Sequence, residues 1–575
     1  MSVLKDRHVV QKRRHYLPSD FEITSWKSVE SFFQELEART IESGAQLRHW
    51  LRDRSELEAA LSEELGWRYI HMTCDTNNPE KQKRFHDFVE HIEPKVAPCA
   101  NRLDRKLLNS PFAHELEEEA FQVLLRNVKK DCNLYRDSNI ELNMRIQMEQ
   151  QQYGAVVGGM TVMIGGIEKT LPQASDLLQS TDRAVRESTY RQIMERRAAD
   201  SDRLDELFSS LITMRHNLAV NANCQDYREY MFLALGRFDY SIDDCYRFHE
   251  AVAEVVVPMM DKIRARRKKR LGLQQLRPWD LAVDELGREP LRPFHSVKEL
   301  VDKAITTFGD IDPYFAECLF TMNSIGHLDL DSRKGKAPGG YNYPLDETGI
   351  PFIFMNATSS LRDLTTLMHE GGHAVHSFLT RDLELTFFKH PPSEVAELAS
   401  MSMEFLSMDY WHHFFDAYDL RRARRQLLEQ VFETLPWVAT VDKFQHWIYS
   451  HPDHQPQERT AAWRDIFGQF DGDVVDWTGL EHYRDLMWQK QLHIFEVPFY
   501  YIEYGIAQLG AVAIWKNYRE RPREAMRCYK EALSKGYTMP IGKIYEAAGI
   551  RFDFSVDYIQ ELIDFLWEEL ERDDA

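Results

Sequence analysis

His369-Glu370-Gly371-Gly372-His373 sets two imidazoles four residues apart, with a carboxylate directly after the first. Side chains four apart on an α-helix stack on one face, so His369 and His373 are placed to hold one metal ion between them. Glu370, one residue round, then reaches the water on that metal. Neutral imidazoles suit zinc, which lowers the pKa of its water to about 7, and a neighbouring carboxylate takes the proton as the water attacks a carbonyl. The chemistry described by this order of residues is metal-assisted hydrolysis of an amide.

That chemistry needs a helix, and the flanks supply one. Leu364, Leu367, Met368, Val375, Phe378 and Leu379 surround the motif with apolar side chains, which a solvated surface helix carrying two ordinary histidines would lack. Ser360 and Asp363 make a capping box that starts the helix about two and a half turns before His369. Gly371 and Gly372 each cost the helix roughly 1 kcal/mol relative to alanine, a cost that predicts close approach of another backbone or a substrate.

Two histidines leave zinc short of protein ligands. The long metzincin pattern requires glycine at 376 and histidine at 379, where this chain has His376 and Leu379, so that class is excluded. His376 lies on the right face, but seven residues of straight helix rise roughly 10 Å, too far for sharing an ion with His369 through bonds of about 2 Å. It belongs behind the ligands as a supporting residue, or in the core. Downstream, the stretch from Ser393 to Glu404 reads as a second helix bearing Glu394, Glu397 and Glu404. Glu397 and Glu404 share a face, Glu394 lies one turn before Glu397, and helical geometry leaves both Glu394 and Glu397 open as the third ligand.

With these residues in view the chain resembles the thimet oligopeptidase family of zinc peptidases, and within it the oligoendopeptidase F branch. Asp363 to His376 is similar to the family's metal helix, extra histidine included. The family's third ligand opens a Glu-x-x-Ser element with a further glutamate seven residues on, which falls here on Glu397, Ser400 and Glu404. The resemblance therefore implies one zinc ion held by His369, His373 and Glu397, Glu404 as the carboxylate that orients a ligating histidine, and Glu370 as general base. Gly335 to Tyr341, followed by Pro351 to Asn356, resembles the family's glycine-rich turn and the strand beside its cleft, which implies substrate contacts at Gly339, Gly340, Phe352 and Phe354. Phe352 to Met355 also reads as a strand from its own β-prone residues, and is expected to be an edge strand that holds an extended peptide by main-chain hydrogen bonds.

Nearer the C-terminus, His493 is followed by Tyr500, Tyr501 and Tyr504. In the family a histidine and tyrosines of this region face the zinc and hydrogen-bond the oxyanion, so the resemblance implies catalytic roles for these four. Phenolic hydroxyls are suitable donors. Core tyrosines are the alternative in a chain with 12% aromatic residues.

The resemblance covers nearly the whole chain and implies a mostly α, zincin-like peptidase with a deep central cleft and a small β-sheet beside the zinc helix. A length of 575 residues would suggest several domains, yet no linker or repeat interrupts the sequence. The expected organisation is an N-terminal helical lid region, 1–185, continuous with a catalytic region, 186–575. Val29 to Leu61 and Ala184 to Ala219 are charged and leucine-spaced, as amphipathic helices are. Gly158 to Gly166 reads as a short hairpin, preceded by an extended-looking run from Ile140 to Gln152.

A net charge of −21 argues against a nucleic-acid partner, and the one basic run, Arg264 to Arg270, reads as a solvated helix end. Seven scattered cysteines without Cys-x-x-Cys pairing suit a reducing compartment. Met1 to Pro18 is polar and basic without an apolar core, and no run is long enough to span a membrane, so the expected location is cytoplasmic. His451 and His454 form another pair, but they lie in a Pro-rich loop and read as loop residues. The function expected is a zinc-dependent endopeptidase acting on short peptides. A carboxypeptidase or dipeptidyl carboxypeptidase of a related helical zincin group, or a non-catalytic peptide-binding protein, are the alternatives. Neither the oligomeric state nor the preferred side chains around the cleaved bond follow from the sequence.

Overall fold

Leucine-spaced, charged segments become helices from Trp26–Ala38 to Val556–Asp574, and the strands make two small sheets in this computed structural model, which describes residues 14–574. Most of the polar N-terminal stretch considered above, residues 1–13, lies outside the described residues. The Val29 to Leu61 pattern divides into Trp26–Ala38 and Gly44–Cys74, because the Ser43 side chain accepts the Gln46 N–H and starts a second helix. Ala184 to Ala219 divides likewise into Arg183–Ala198 and Ser201–Asn221.

The expected hairpin is present as β1 (Thr161–Ile164) paired antiparallel with β2 (Ile167–Thr170). Gly165 and Gly166, at φ +61° and +76°, supply the two left-handed residues such a turn demands. The run before it is not extended. Residues Ser138–Gly158 form a helix whose Asn139, Ile146, Tyr153 and Val156 are buried, while Ile140, Met144 and Met148 are exposed. Glu, Gln and Met favour helix, and a seam recurring every seven residues outweighs a short period-two pattern.

The basic run ends the helix Val257–Arg270 and is solvated only in part, Lys269 and Arg270 being exposed. Arg264 is buried against Glu433 and Asp471, Arg266 pairs with Glu429 and Glu571, and Arg270 pairs with Glu285. In a chain so acidic, the few clustered cations find carboxylates.

The larger sheet contains β3 (Leu328–Asp331), β4 (Tyr341–Tyr343) and β5 (Phe352–Ala357) in the order β3-β5-β4, with β5 parallel to β3 and antiparallel to β4. This corrects the expectation of an edge strand at Phe352 to Met355. Phe354 pairs with Asp329 on one side and Tyr341 on the other, so the edge strands are β3 and β4. Phe352 and Phe354 are buried with Ile70 and Leu345, so their side chains are core and not a substrate-facing surface. Four consecutive apolar residues mark a strand covered on both faces, not a half-exposed edge. Lys336, whose side chain has no exposed surface, locks the sheet by donating to Asp329 Oδ1 and to the Asp331 carbonyl at 2.9 Å each and to the Met355 carbonyl. Asn356 Nδ2 donates to the carbonyls of Ala337 (2.9 Å) and Gly339 (3.0 Å) and closes the glycine-rich turn.

The described residues fall in two compact units, one within Met1–Asn133, Arg292–Arg421 and Gly510–Phe552, the other within Leu134–Leu291, Arg422–Leu509 and Asp553–Ala575. Neither is continuous in sequence, and neither has a bound at residue 185. Among the described residues no helix is long and apolar enough to cross a membrane.

Candidate active site

Two helices of the first unit carry the residues expected to hold a metal ion. The metal helix, Leu361–Thr380, begins at the capping box expected from its sequence. Ser360 Oγ accepts the Asp363 N–H at 3.2 Å, and Asp363 Oδ2 accepts the Ser360 N–H at 2.8 Å. The glutamate helix, Ser393–Met408, is buried along almost its whole length. A Cβ at Gly372 would lie 2.6 Å from Ser400 Cα and 2.7 Å from the Ala399 carbonyl oxygen, so the second backbone foreseen at this glycine is the glutamate helix itself. At Gly371 the neighbour is the Phe308 ring, 2.5 Å from such a Cβ.

This close approach brings His369 Nε2 to 3.3 Å and His373 Nε2 to 3.7 Å from Glu397 Oε2. Ligand atoms arranged tetrahedrally at about 2.0–2.1 Å from a common ion stand about 3.3–3.4 Å apart, so the three donors fit zinc with little adjustment. Geometry groups Glu397, and not Glu394, with the two histidines. His369 and His373 keep 22% and 21% of their side-chain surface open while Glu397 is buried, as a site reached from one side requires.

The surrounding bonds orient the donors. Glu404 Oε1 lies 2.8 Å from His369 Nδ1, which places the proton on Nδ1 and leaves Nε2 free for a metal. Ser400 Oγ donates to Glu397 Oε2 at 2.9 Å. Asn342 Nδ2 donates to the backbone carbonyl of Glu370 at 3.2 Å, tying β4 to the metal helix. Nothing in the sequence singled out Asn342; its only signal was its place after the glycine-rich turn. His376 does not join this set. Its ring is buried and bonds the backbone of Leu533, with no hydrogen bond to a metal-ligating residue among the described residues, so it is a core residue.

Electrostatics follow burial and neighbours. Burial pushes the Glu370 carboxyl up to about 7, with His369 opposing the rise and Glu397 reinforcing it. Burial likewise lowers His373 to about 4, so its imidazole is neutral and ready to bind. For Glu397, burial opposes ionisation but is outweighed by His369, His373 and Ser400, which hold the carboxyl at about 2. Burial also disfavours charge on His369, yet Glu397 and Glu404, one on each ring nitrogen, raise it well above its ordinary value. A cation is what this pair of carboxylates is built around.

The other four expected catalytic residues assemble in the second unit. The His493 ring lies 6.1, 4.9 and 5.7 Å from the rings of Tyr500, Tyr501 and Tyr504. His493 Nε2 is 3.5 Å from the Tyr504 hydroxyl, and His493 Nδ1 is 2.7 Å from Gln491 Nε2. Burial pushes Tyr501 up to about 12, against hydrogen bonds from Trp437 and Gln491. Tyr501 and Tyr504 belong to the helix Tyr501–Glu520, whereas Tyr500 sits in the turn before it. Phe499 in that turn is left-handed at φ +67°, a costly conformation for a bulky residue. Its N–H donates to Gln445 Oε1 at 3.0 Å, and its carbonyl accepts from Arg237.

Comparison with known proteins places these features. The profile of peptidase family M3 matches residues 176–563, more than half of the chain, and that of the peptidase M3 N-terminal domain matches residues 18–135. Oligopeptidase PepF of Bacillus subtilis (strain 168) is 25% identical over 308 residues, 51% of this chain and 44% of its own length. An oligoendopeptidase F homolog of Lactococcus lactis subsp. lactis (strain IL1403) is 24% identical over 325 residues, 56% of this chain and 49% of its own. The chain spans about half the length of these curated relatives. Among solved structures, that of PZ peptidase A with an inhibitor superposes with a TM-score of 0.89 at 27% identity, over 96% of this chain and 99% of its own. The family implies a metal cofactor, and the donor set at His369, His373 and Glu397 suits one. By this match the chain belongs to peptidase family M3.

Proposed function

We propose that the protein is a zinc-dependent endopeptidase that hydrolyses short peptides, with one zinc ion held by His369, His373 and Glu397. The observation that carries this reading is the convergence of those three donors on one point, with the buried Glu370 on the same helix. When bound, zinc polarises the scissile carbonyl and acidifies water. Glu370, with its carboxyl near 7, takes the proton from the attacking water and passes it to the leaving amine. Asn342 holds the backbone of Glu370, and Glu404 holds the ring of His369, so both reacting groups are set before substrate arrives. The open edge of β4, flanked by Gly339 and Gly340, takes over the role first expected of β5 and offers main-chain groups to an extended peptide. The hydroxyls of Tyr500, Tyr501 and Tyr504, with His493, are the proposed donors to the oxyanion.

The names of the relatives, oligopeptidase and oligoendopeptidase, support short peptides as substrates, and the proposed length is roughly 5 to 15 residues, at about 3.3 Å each. The same proposal assigns residues 1–185 to a lid, residues 186–575 to catalysis, and the protein to the cytoplasm. A decapeptide blocked at both ends and carrying a fluorophore and quencher tests it. Wild type should cut internally, and Glu370→Gln should keep its metal while the rate falls by about 10²- to 10⁴-fold. Near-normal turnover in that variant would sink the mechanism. Release of C-terminal residues alone, from unblocked peptide, selects the carboxypeptidase reading, and binding without turnover selects the non-catalytic one.

A further inference from the structure

A second set of metal-ligating side chains lies in the other unit, in the core. Cys245 and His249 are four residues apart on the helix Ile242–Ala251, and Asp442 and His446 are four apart on the helix Ala417–Ser450. Each helix therefore turns a stacked pair toward the other, by the same spacing that aligns His369 with His373. Burial is complete in practice: Cys245 is 2% exposed, His249 1%, Asp442 0% and His446 1%. Donor atoms of Cys245, Asp442 and His446 lie within 4.8 Å of one another.

Hydrogen bonding does not account for this cluster. His249 Nε2 lies 2.8 Å from Asp442 Oδ2, a sound bond. His446 Nε2 stands 3.4 Å from the same oxygen without the alignment of a hydrogen bond. Both nitrogens of His446, Asp442 Oδ1 and His249 Nδ1 have no hydrogen-bond partner among the described residues. Each polar atom buried unpartnered costs about 1–3 kcal/mol, so four together in one place call for an explanation. The rings of Tyr246 and Phe499, 5.2 and 5.1 Å from that of His446, make the surroundings apolar.

We propose that Cys245, Asp442 and His446 bind a structural divalent transition metal ion, zinc by its donor set, with His249 donating Nε2–H to Asp442 and fixing its orientation. One thiolate, one carboxylate and imidazole nitrogen are ligands zinc accepts. Binding expels the Cys245 thiol proton to solvent, and the two negative charges of thiolate and carboxylate then cancel the charge of the ion. Neutrality is what a site without exposed surface requires. The ion fastens the helix Ala417–Ser450 to Ile242–Ala251 beside Gln445, which holds the strained Phe499 in the turn that leads to Tyr500 and Tyr501.

The test uses the full chain, produced in minimal medium with cobalt(II) as the supplied metal. Cobalt bound to a thiolate gives a near-ultraviolet charge-transfer band, and the set at His369, His373 and Glu397 contains no sulfur. Wild type should carry about two metal equivalents and show the band. His373→Ala should lose one equivalent and keep the band. Cys245→Ser should lose the band and unfold at lower temperature. Wild type with one equivalent and no thiolate band overturns the proposal, and that result does not depend on whether any variant folds.

Discussion

Replacing Gly372 with alanine sets two effects of opposite sign against each other. Helix propensity alone favours alanine by about 1 kcal/mol. The added Cβ, however, would sit 2.6 Å from Ser400 Cα and 2.7 Å from the Ala399 carbonyl oxygen. Ordinary contacts are about 3.5 Å or more, so the glutamate helix has to retreat by roughly 0.8–1 Å, and backbone cannot rotate out of the way as a side chain could. Glu397, one turn before Ser400, and Glu404, one turn after it, move with that helix. The 3.3 Å and 3.7 Å separations from the histidines then widen beyond what a zinc ion tolerates, since its bond lengths are held to within about 0.2 Å. Overpacking of this kind typically costs about 1–3 kcal/mol, which exceeds the propensity gain.

Two other glycines make the controls. Gly371→Ala meets the Phe308 ring, not the glutamate helix, and should cost stability while largely preserving metal affinity. Gly468, in the helix Pro456–Phe470, has nothing within 4 Å of a Cβ, so its alanine variant should gain up to about 1 kcal/mol. Stability would be read by urea denaturation and metal affinity by competition with a chromophoric chelator. The expected result is a metal affinity at least about tenfold weaker in Gly372→Ala only, a change of about 1.4 kcal/mol. If Gly372→Ala bound metal like wild type and gained stability as Gly468→Ala does, helix spacing would not be what sets the ligand geometry.

Glu404→Ala removes the partner of His369 Nδ1 and should weaken metal binding by about 10- to 100-fold, and Glu397→Ala should abolish it, whereas Glu394→Ala should leave it nearly intact; equal losses at Glu394 and Glu397 would reverse the assignment. Phenylalanine in turn at Tyr500, Tyr501 and Tyr504 should lower kcat by up to about 10²-fold at one or two positions with little change in KM, and three wild-type variants would return the cluster to a packing role. Burial works against the Asp329 carboxylate, but Arg333, Cys74 and Lys336 outweigh it and hold its pKa below the usual range. A depressed value means that its contribution to stability is complete above about pH 4 and fades as the pH falls further, so the stability gap between wild type and Asp329→Asn should shrink as the pH falls below about 4; a constant gap would contradict the pairing with Lys336.

What the sequence by itself determined is what repeats over a few residues. The histidine spacing, the Ser360 and Asp363 box, the helix bearing Glu397 and Glu404, and the Gly165-Gly166 turn all follow from one helical period or one left-handed turn. A resemblance to known peptidases could add roles to those residues but no distances. Tertiary structure decided the rest, because it depends on which surfaces meet. It grouped Glu397, and not Glu394, with the two histidines, made β5 central with β3 and β4 as the edges, and turned the run from Ile140 to Gln152 into a helix by burying one of its faces. It recruited Asn342 to the backbone of Glu370 and consigned His376 to the core. It alone set Cys245 and His249 against Asp442 and His446, residues far apart in the chain, since a ligand pair on one helix is legible from its spacing but its partner on another helix is found only by packing.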